Sequence, residues 1–415
     1  MSQGGPCLWR PLPQSSQAPR DRSKHACCSH RGDVFVLGGR DSGALRDFWK
    51  YSVVRNEWTE LDCSSEVAPE ELEEHTMVAH KGFLYVFGGM MDSSFSSCRF
   101  PLWMFDIKKQ MWVDPLGGTG WVQTLTPSNR KGHSAVVLGP TMMIYGGFVD
   151  VRGSSEELWS FHFDSMSWCL LGGPQQTPQG PGPRHSHSAA TFQSSMFVFG
   201  GLKGLQEQRD LWKWNNSALM WTCVSTKSGP PRLIGHSAVT YRDSMLIFGG
   251  GECRDSPHSC LWKFSFLTQR WSRVSSLPDS RPPGKIHHCC AGIGRGYSPS
   301  SVLPAQTGSS LQLGGKYKAF QNRCYPASAF QGLEDAIELQ TLNSDGTSSA
   351  LEHRDSQLIS SCSASESRAF RMNGSQEAEE EDFSQHLPDL LLVLGGRPVS
   401  HHSPISVWQM TLSDG

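Results

Sequence analysis

Six short apolar runs along the chain stop at a glycine pair. They read VFVLGG (Gly38, Gly39), LYVFGG (Gly88, Gly89), MMIYGG (Gly146, Gly147), MFVFGG (Gly200, Gly201), MLIFGG (Gly249, Gly250) and LLVLGG (Gly395, Gly396). An apolar-Trp pair follows each: Phe48-Trp49, Leu102-Trp103, Leu158-Trp159, Leu211-Trp212, Leu261-Trp262 and Val407-Trp408. After the first five a second tryptophan arrives, at Trp58, Trp112, Trp168, Trp221 and Trp271. Segments such as GHSAVV at Gly132, HSAAT at His187 and GHSAVT at Gly235 precede the runs. Short apolar stretches separated by turn residues predict strands, here four per unit. Strand a is the His-Ser segment, b the apolar run, c the Leu-Trp segment, and d starts at the second Trp. Strand b hardly alternates, as expected where both faces of a sheet are covered. The glycine pair permits close backbone approach and φ values forbidden to other residues. Each tryptophan offers about 200 Å² for packing between units.

The first five units recur roughly every fifty residues, the period of kelch blades. On these glycine pairs and tryptophans the chain resembles the kelch-repeat proteins, and the resemblance spans nearly all of it outside one insertion. It implies an all-β, six-bladed propeller of four-stranded antiparallel sheets around a channel. The sixth unit ends at VWQMTLSDG without a second Trp, whereas CLWRPL, Cys7 to Leu12, matches EWTEL and MWVDPL. Trp9 is therefore expected to begin strand d of the last blade and to close the ring, which removes open sheet edges. Twelve of the 14 tryptophans then fill two equivalent positions per blade, which favours six blades over seven; Trp121 and Trp214 remain. The expected bounds within one 1–415 propeller are 7–12 for the closing strand, 20–62, 75–116, 130–172, 183–225 and 232–275 for blades 1 to 5, and 285–293 with 388–412 for blade 6.

Residues 294–387 break the pattern. They are Ser-rich and carry the acidic run EAEEEDF, which reads as a largely disordered insertion between strands a and b of blade 6. LQLGG at Gly314-Gly315 and AIELQTL near Ile337 leave a degenerate seventh blade as the alternative.

Composition narrows the function. Lys plus Arg is 37 against 39 for Asp plus Glu, which argues against a general binder of nucleic acid, since that needs a basic surface, and leaves a local basic patch open. No apolar run approaches the eighteen or so residues of a membrane span, and MSQGGPCLWRPLPQ lacks the regions of a secretory signal. The 13 cysteines are odd in number and lie largely in or beside strands (Cys27, Cys28, Cys223, Cys289, Cys290), as buried thiols of a reducing compartment do. A cytoplasmic protein is expected, with a nuclear one as the alternative. No Gly-x-Ser-x-Gly elbow, phosphate loop or His-Glu-x-x-His stands in the chain. Some kelch-like propellers are copper-radical oxidases with tyrosine ligands. Here Tyr51, Tyr85, Tyr145 and Tyr241 fall in or beside repeat strands and Tyr297, Tyr317 and Tyr325 in the insertion, which argues against that chemistry. No enzyme and no cofactor are expected.

The a–b and c–d turns are short, whereas the b–c and d–a loops are longer and richer in charge, Pro and Gly. A partner is therefore expected on the b–c/d–a face around the channel mouth. A basic residue recurs three or four positions before the strand-a histidine: Arg22 before His25, Arg130 before His133, Arg184 before His187, Arg232 before His236 and Lys285 before His288. Blade 2 has Leu72 there, among acids. Such a ring suits an acidic or phosphorylated segment; the competing reading has each cation satisfying loop carbonyls inside its blade. The histidines are expected to bond loop backbone at the start of strand a. Cys253, His258, Cys260, His401 and His402 share neighbouring loops without a zinc spacing, and Asn215 and Asn373 fit the glycosylation sequon by chance. The resemblance implies a non-enzymatic protein-interaction adaptor or scaffold. Related proteins often serve as substrate-recognition subunits of ubiquitin ligases through a BTB or F-box region; blade material starts here at Cys7, so that alternative needs another docking element. A small-molecule-binding propeller is the third reading.

Overall fold

In the computed structural model the described residues are 7–89, 101–114, 125–172, 180–252, 256–277, 280–297 and 386–412. The chain divides into two units, 1–301 with 380–415 and 302–379, and the propeller is the first. The segments around Gly314 and Ile337, the acidic run from Glu377, Trp121, Cys253, Tyr317, Tyr325 and Asn373 lie outside the described residues.

Six four-stranded antiparallel sheets follow in chain order. Blade 1 is Ala26–His30, Asp33–Leu37, Phe48–Ser52 and Glu57–Leu61. Blade 2 is Thr76–His80, Phe83–Phe87, Leu102–Asp106 and Met111–Val113, and blade 3 is Ser134–Leu138, Thr141–Tyr145, Leu158–His162 and Ser167–Gly172. Blade 4 is Ser188–Phe192, Ser195–Phe199, Leu211–Asn215 and Met220–Cys223, and blade 5 is Ser237–Tyr241, Ser244–Phe248, Leu261–Ser265 and Arg270–Val274. Blade 6 joins Cys289–Ile293, Leu390–Leu394 and Val407–Thr411 to the N-terminal strand Trp9–Leu12. Trp9 pairs with Met410 and Leu12 with Val407, so the two ends of the chain close the ring as expected.

Strand a of every blade packs against strand a of both neighbours, which makes it the channel wall. The apolar core is not central. It is divided among six clusters, one in each seam between blades. In four seams the last side chain of strand b meets the strand-d tryptophan of a neighbouring blade: Phe87 with Trp168 (5.2 Å), Tyr145 with Trp221 (5.0 Å), Phe199 with Trp271 (5.3 Å) and Phe248 with Trp9 (5.3 Å between centroids). Both faces of strand b are covered by such contacts, which explains its unbroken apolar sequence. The glycine pair is required at the next step. A Cβ on Gly88 would lie 2.5 Å from Arg130 O and 2.6 Å from His133 Cε1 of blade 3, at φ +71°.

Where the insertion leaves blade 6, Asp389 clasps its base. The carboxylate accepts from Gly296 N (2.9 Å) and Tyr241 OH (3.0 Å) and pairs with Arg242 (3.1 Å). Arg295–Tyr297 forms a 3-10 turn there, with Tyr297 packed on Tyr241. No helix of the described residues is long and apolar enough to cross a membrane.

Candidate functional site

Each d–a connection reaches strand a by the same three steps, and the hydrogen bonds define which residues are equivalent. Arg22, Leu72, Arg130, Arg184, Leu233 and Lys285 each accept the N–H of the second glycine of an adjacent blade, at 2.7 to 2.9 Å, from Gly396, Gly39, Gly89, Gly147, Gly201 and Gly250 respectively. Two residues later come Lys24, Glu74, Gly132, Ser186, Gly235 and His287, all with φ between +55° and +64°. Their main chains close a ring around the channel mouth. Glu74 N donates to Lys24 O (2.9 Å), Gly132 N to Glu74 O (2.9 Å), Ser186 N to Gly132 O (2.7 Å), Gly235 N to Ser186 O (3.0 Å), His287 N to Gly235 O (2.7 Å) and Lys24 N to His287 O (2.8 Å). The left-handed conformation turns each N–H and C=O sideways toward the next blade, where an ordinary β residue would point them elsewhere.

The strand-a histidines follow the ring. Three of them bond across the seams: His133 Nε2 meets Thr76 Oγ1 (2.7 Å), His187 Nε2 meets Ser134 Oγ (2.9 Å) and His236 Nε2 meets Phe199 O (3.2 Å). These Nε2 contacts differ from the expected loop-backbone partners: two go to hydroxyls and one to the last carbonyl of strand b, because the imidazole reaches over the adjacent blade's glycine. Burial pushes His75, His133 and His288 down to about 3 and His236 to about 4.

The recurring cations sit behind this ring, inside the blades. Arg22 is fully buried, donating to Gly38 O (3.0 Å) and to both carboxylate oxygens of Asp47 (2.6 and 2.7 Å). Arg130 repeats this with Gly146 O (3.1 Å) and Glu157 (2.7 Å), and Arg184 with Gly200 O (2.9 Å) and Asp210 (2.7 and 2.9 Å). The same carboxylates accept from Trp49, Trp159 and Trp212 Nε1 at 2.6, 2.9 and 2.6 Å. Burial raises the Asp47 carboxyl, and Arg22 and Trp49 more than offset it, leaving it below its ordinary value. Lys285, 5% exposed, donates to Gly396 O (3.1 Å) and Pro398 O (3.0 Å). Arg232 does not belong to the series. Leu233 holds the equivalent position and is buried, and Arg232 beside it is exposed. Four of the five cations are thus engaged within the blades.

Asp47, Glu157 and Asp210 were missed in the sequence, although a signal exists: each stands two residues before the strand-c tryptophan. Blades 2 and 5 have Pro101 and Cys260 there, and these are the two blades with Leu72 and Leu233 in place of the cation.

At the mouth itself Lys24 pairs with Glu74 (2.6 Å) and Glu73 (3.6 Å), and Arg40 with Glu73 (2.8 Å). Burial raises the Glu74 carboxyl, and Lys24 brings it below its ordinary value. The cavity between the ring and the histidines is about 130 Å³, and a second one beside the Arg130–Glu157 pair is about 240 Å³. Both are below the roughly 300–1,000 Å³ of drug-sized ligand pockets. The b–c loops of blades 3 and 4 fold into two small ribbons, Phe148–Val149 with Gly153–Ser154 and Leu202–Lys203 with Gln206–Glu207. Their tips carry Val151 and Leu205, each 98% exposed. Lys131 lies over the Phe148 ring at 5.5 Å, and Phe148 stacks edge-on against His185 of blade 4.

Among the described residues no three His, Cys, Asp or Glu side chains gather as metal ligands, His258, Cys260, His401 and His402 included. Asn215 Oδ1 caps its own turn, accepting from Ser217 N and Ala218 N.

The family model described as the KLHDC2/KLHL20/DRC7 Kelch-repeats domain matches residues 6–121 and 74–297. Kelch domain-containing protein 3 of Bos taurus is 31% identical over 105 residues, a quarter of this chain (25%) and 27% of that protein. The Leucine-zipper-like transcriptional regulator 1 homolog of Drosophila melanogaster is 29% identical over 218 residues, 48% of the chain and 22% of that protein, and human Host cell factor 2 is 26% identical over 328 residues, 69% and 40%. The chain therefore spans well under half the length of these relatives. Kelch propellers are in general protein-binding modules and typically non-catalytic. With six blades, six glycine pairs and a matched family model over most of its length, this chain belongs to the kelch-repeat β-propeller family.

Proposed function

We propose that the chain is a non-enzymatic interaction propeller, an adaptor or scaffold that holds a protein partner on the b–c/d–a face. The observation that carries this reading is the pair of ribbons on blades 3 and 4, whose tips leave Val151 and Leu205 in solvent. Large apolar side chains held out on short ribbons cost solubility and contribute nothing to the core, so a partner is their natural complement. Cations stand close by, Lys131, Arg152 and Lys203, so acidic groups flanking an apolar segment fit this face. The small, main-chain-lined mouth supports a surface interaction over a small-molecule site.

The test is affinity capture from cytosolic extract with wild type, Val151→Asp/Leu205→Asp, and Lys131→Glu/Lys203→Glu, each checked for an unchanged melting transition. Partners lost with either face variant and retained by an Arg270→Glu/Arg273→Glu control on strand d of blade 5 support the reading. Partners retained by all baits refute it. Ubiquitin-ligase subunits retained by the face variants and lost on deletion of 298–385 would favour the ligase-subunit alternative.

A further inference from the structure

Strand a of blade 1 carries Cys27-Cys28 and strand a of blade 6 carries Cys289-Cys290, and these two strands pack against each other along the channel. Alternation along a strand sorts the four thiols. Cys28 packs on the core between blades 1 and 2, and Cys290 on the core between blades 5 and 6. Cys27 packs in the seam between blades 6 and 1, opposite Ala291 and Ile293, which share a strand face with Cys289. The two side chains cross in that seam. The Cys27 thiol donates to Cys290 O (3.7 Å) and the Cys289 thiol to His25 O (3.0 Å), so each side chain reaches the other's strand. In blades 2 and 3 the first residue of strand a is a hydroxyl facing the adjacent blade's histidine, Thr76 with His133 and Ser134 with His187. Cys289 holds this position in blade 6, and its neighbour is His25. A dithiol thus replaces the hydroxyl–imidazole contact at one seam of the ring. The four cysteines are half-buried residues.

We propose that Cys27 and Cys289 are a peroxide-reactive pair that closes to a disulfide across the seam between the first and last blades. The nucleophile is Cys289. Cys27 and His25 beside it hold the Cys289 thiol well below its ordinary pKa, whereas burial and the neighbouring Cys289 raise Cys28 and Cys290. The Cys289 thiolate attacks one oxygen of hydrogen peroxide. The O–O bond breaks, hydroxide leaves and takes up the proton the thiol released, and Cys289 becomes a sulfenic acid. Cys27 sulfur then attacks Cys289 sulfur, the S–O bond breaks, and the departing hydroxyl leaves as water with the Cys27 proton. Two thiols and one peroxide yield one disulfide and two waters, with both electrons passing from sulfur to oxygen. Blade 6 is assembled from both chain ends, so this link staples the one blade whose integrity depends on a strand arriving from the far terminus. Cross-linking over so long a loop also restricts the unfolded chain.

The full chain is treated with hydrogen peroxide, quenched, and mapped without reduction by mass spectrometry. A Cys27–Cys289 peptide appearing before oxidation of the exposed Cys169 and Cys223, with a melting rise of about 5 °C reversed by dithiothreitol, is the expected result. Cys28→Ser retains the link, and Cys27→Ser leaves a sulfenic acid at Cys289 that dimedone traps. Cys289 remaining reduced at doses that oxidise Cys169, or pairing of Cys27 with Cys28 instead, overturns the proposal. Should Cys27→Ser fail to fold, the wild-type map and Cys28→Ser still decide it.

Discussion

Arg22 and Asp47 are 25 residues apart in sequence and form a two-pronged ion pair, 2.6 and 2.7 Å, behind the channel mouth of blade 1. The guanidinium is fully buried, and a further donor contact goes to the first glycine's carbonyl. Breaking a buried pair from one side strands a charge, whereas removing both members is far cheaper. Asp47→Ala is therefore expected to lose about 3 kcal/mol of stability, and Arg22→Leu/Asp47→Ala distinctly less, in imitation of blade 5, where Leu233 has no acid partner. Urea titrations of the single and double variants check this; equal losses would show that packing, not charge, dominates.

Stability should fall in acid through the strand-a histidines. Burial holds His75, His133 and His288 at about 3 and His236 at about 4, against an unfolded value of 6.5. Their folded pKa is depressed, so the unfolded chain binds protons first. Stability is full above about pH 6.5 and is lost as the pH drops toward 3, by about 1.4 kcal/mol per histidine for each unit within that window. Asp47, Glu157 and Asp210, also depressed, add a loss at lower pH, through their folded pKa. Denaturant midpoints from pH 7.5 to 4.5 read this directly, and a flat profile would contradict it.

Gly82 and Gly88 separate crowding from backbone strain. Both have positive φ, +79° and +71°, but a Cβ on Gly82 would meet nothing within 4 Å, while one on Gly88 would meet Arg130 O at 2.5 Å. Gly82→Ala should cost about 1 kcal/mol and Gly88→Ala at least about 3 kcal/mol. Comparable thermal shifts for the two would place the whole cost in the dihedral.

Asp389 anchors both ends of the insertion at blade 5, so Asp389→Ala frees Gly296 N and unpairs Arg242 from it. The expected outcome is a loss of about 2 kcal/mol and faster tryptic cleavage after Arg295 at unchanged circular dichroism. Cleavage at the wild-type rate would mean that the Tyr241–Tyr297 contact suffices.

Much of the architecture was legible because a propeller repeats itself. The Gly-Gly and Trp positions recur in every blade with local causes, and the orphan CLWRPL segment pointed to its partner by matching the other strands d. The partner of each arginine was not legible, because Asp47, Glu157 and Asp210 come into reach only once strand c folds back beside strand b. Arg232 was misplaced because it was read by residue type. Counting three residues back from His236 leads to Leu233, and the glycine N–H bonds enforce that count.

The amino-acid order alone thus determined the blades, their number and the closing of the ring, since strand pattern and period are local properties summed along the chain. Only the tertiary structure decided which groups face the channel. The six-membered main-chain ring, the inward burial of the arginines and the meeting of Cys27 with Cys289 all depend on contacts between blades, and a seam joins residues whose separation in sequence carries no periodic signal.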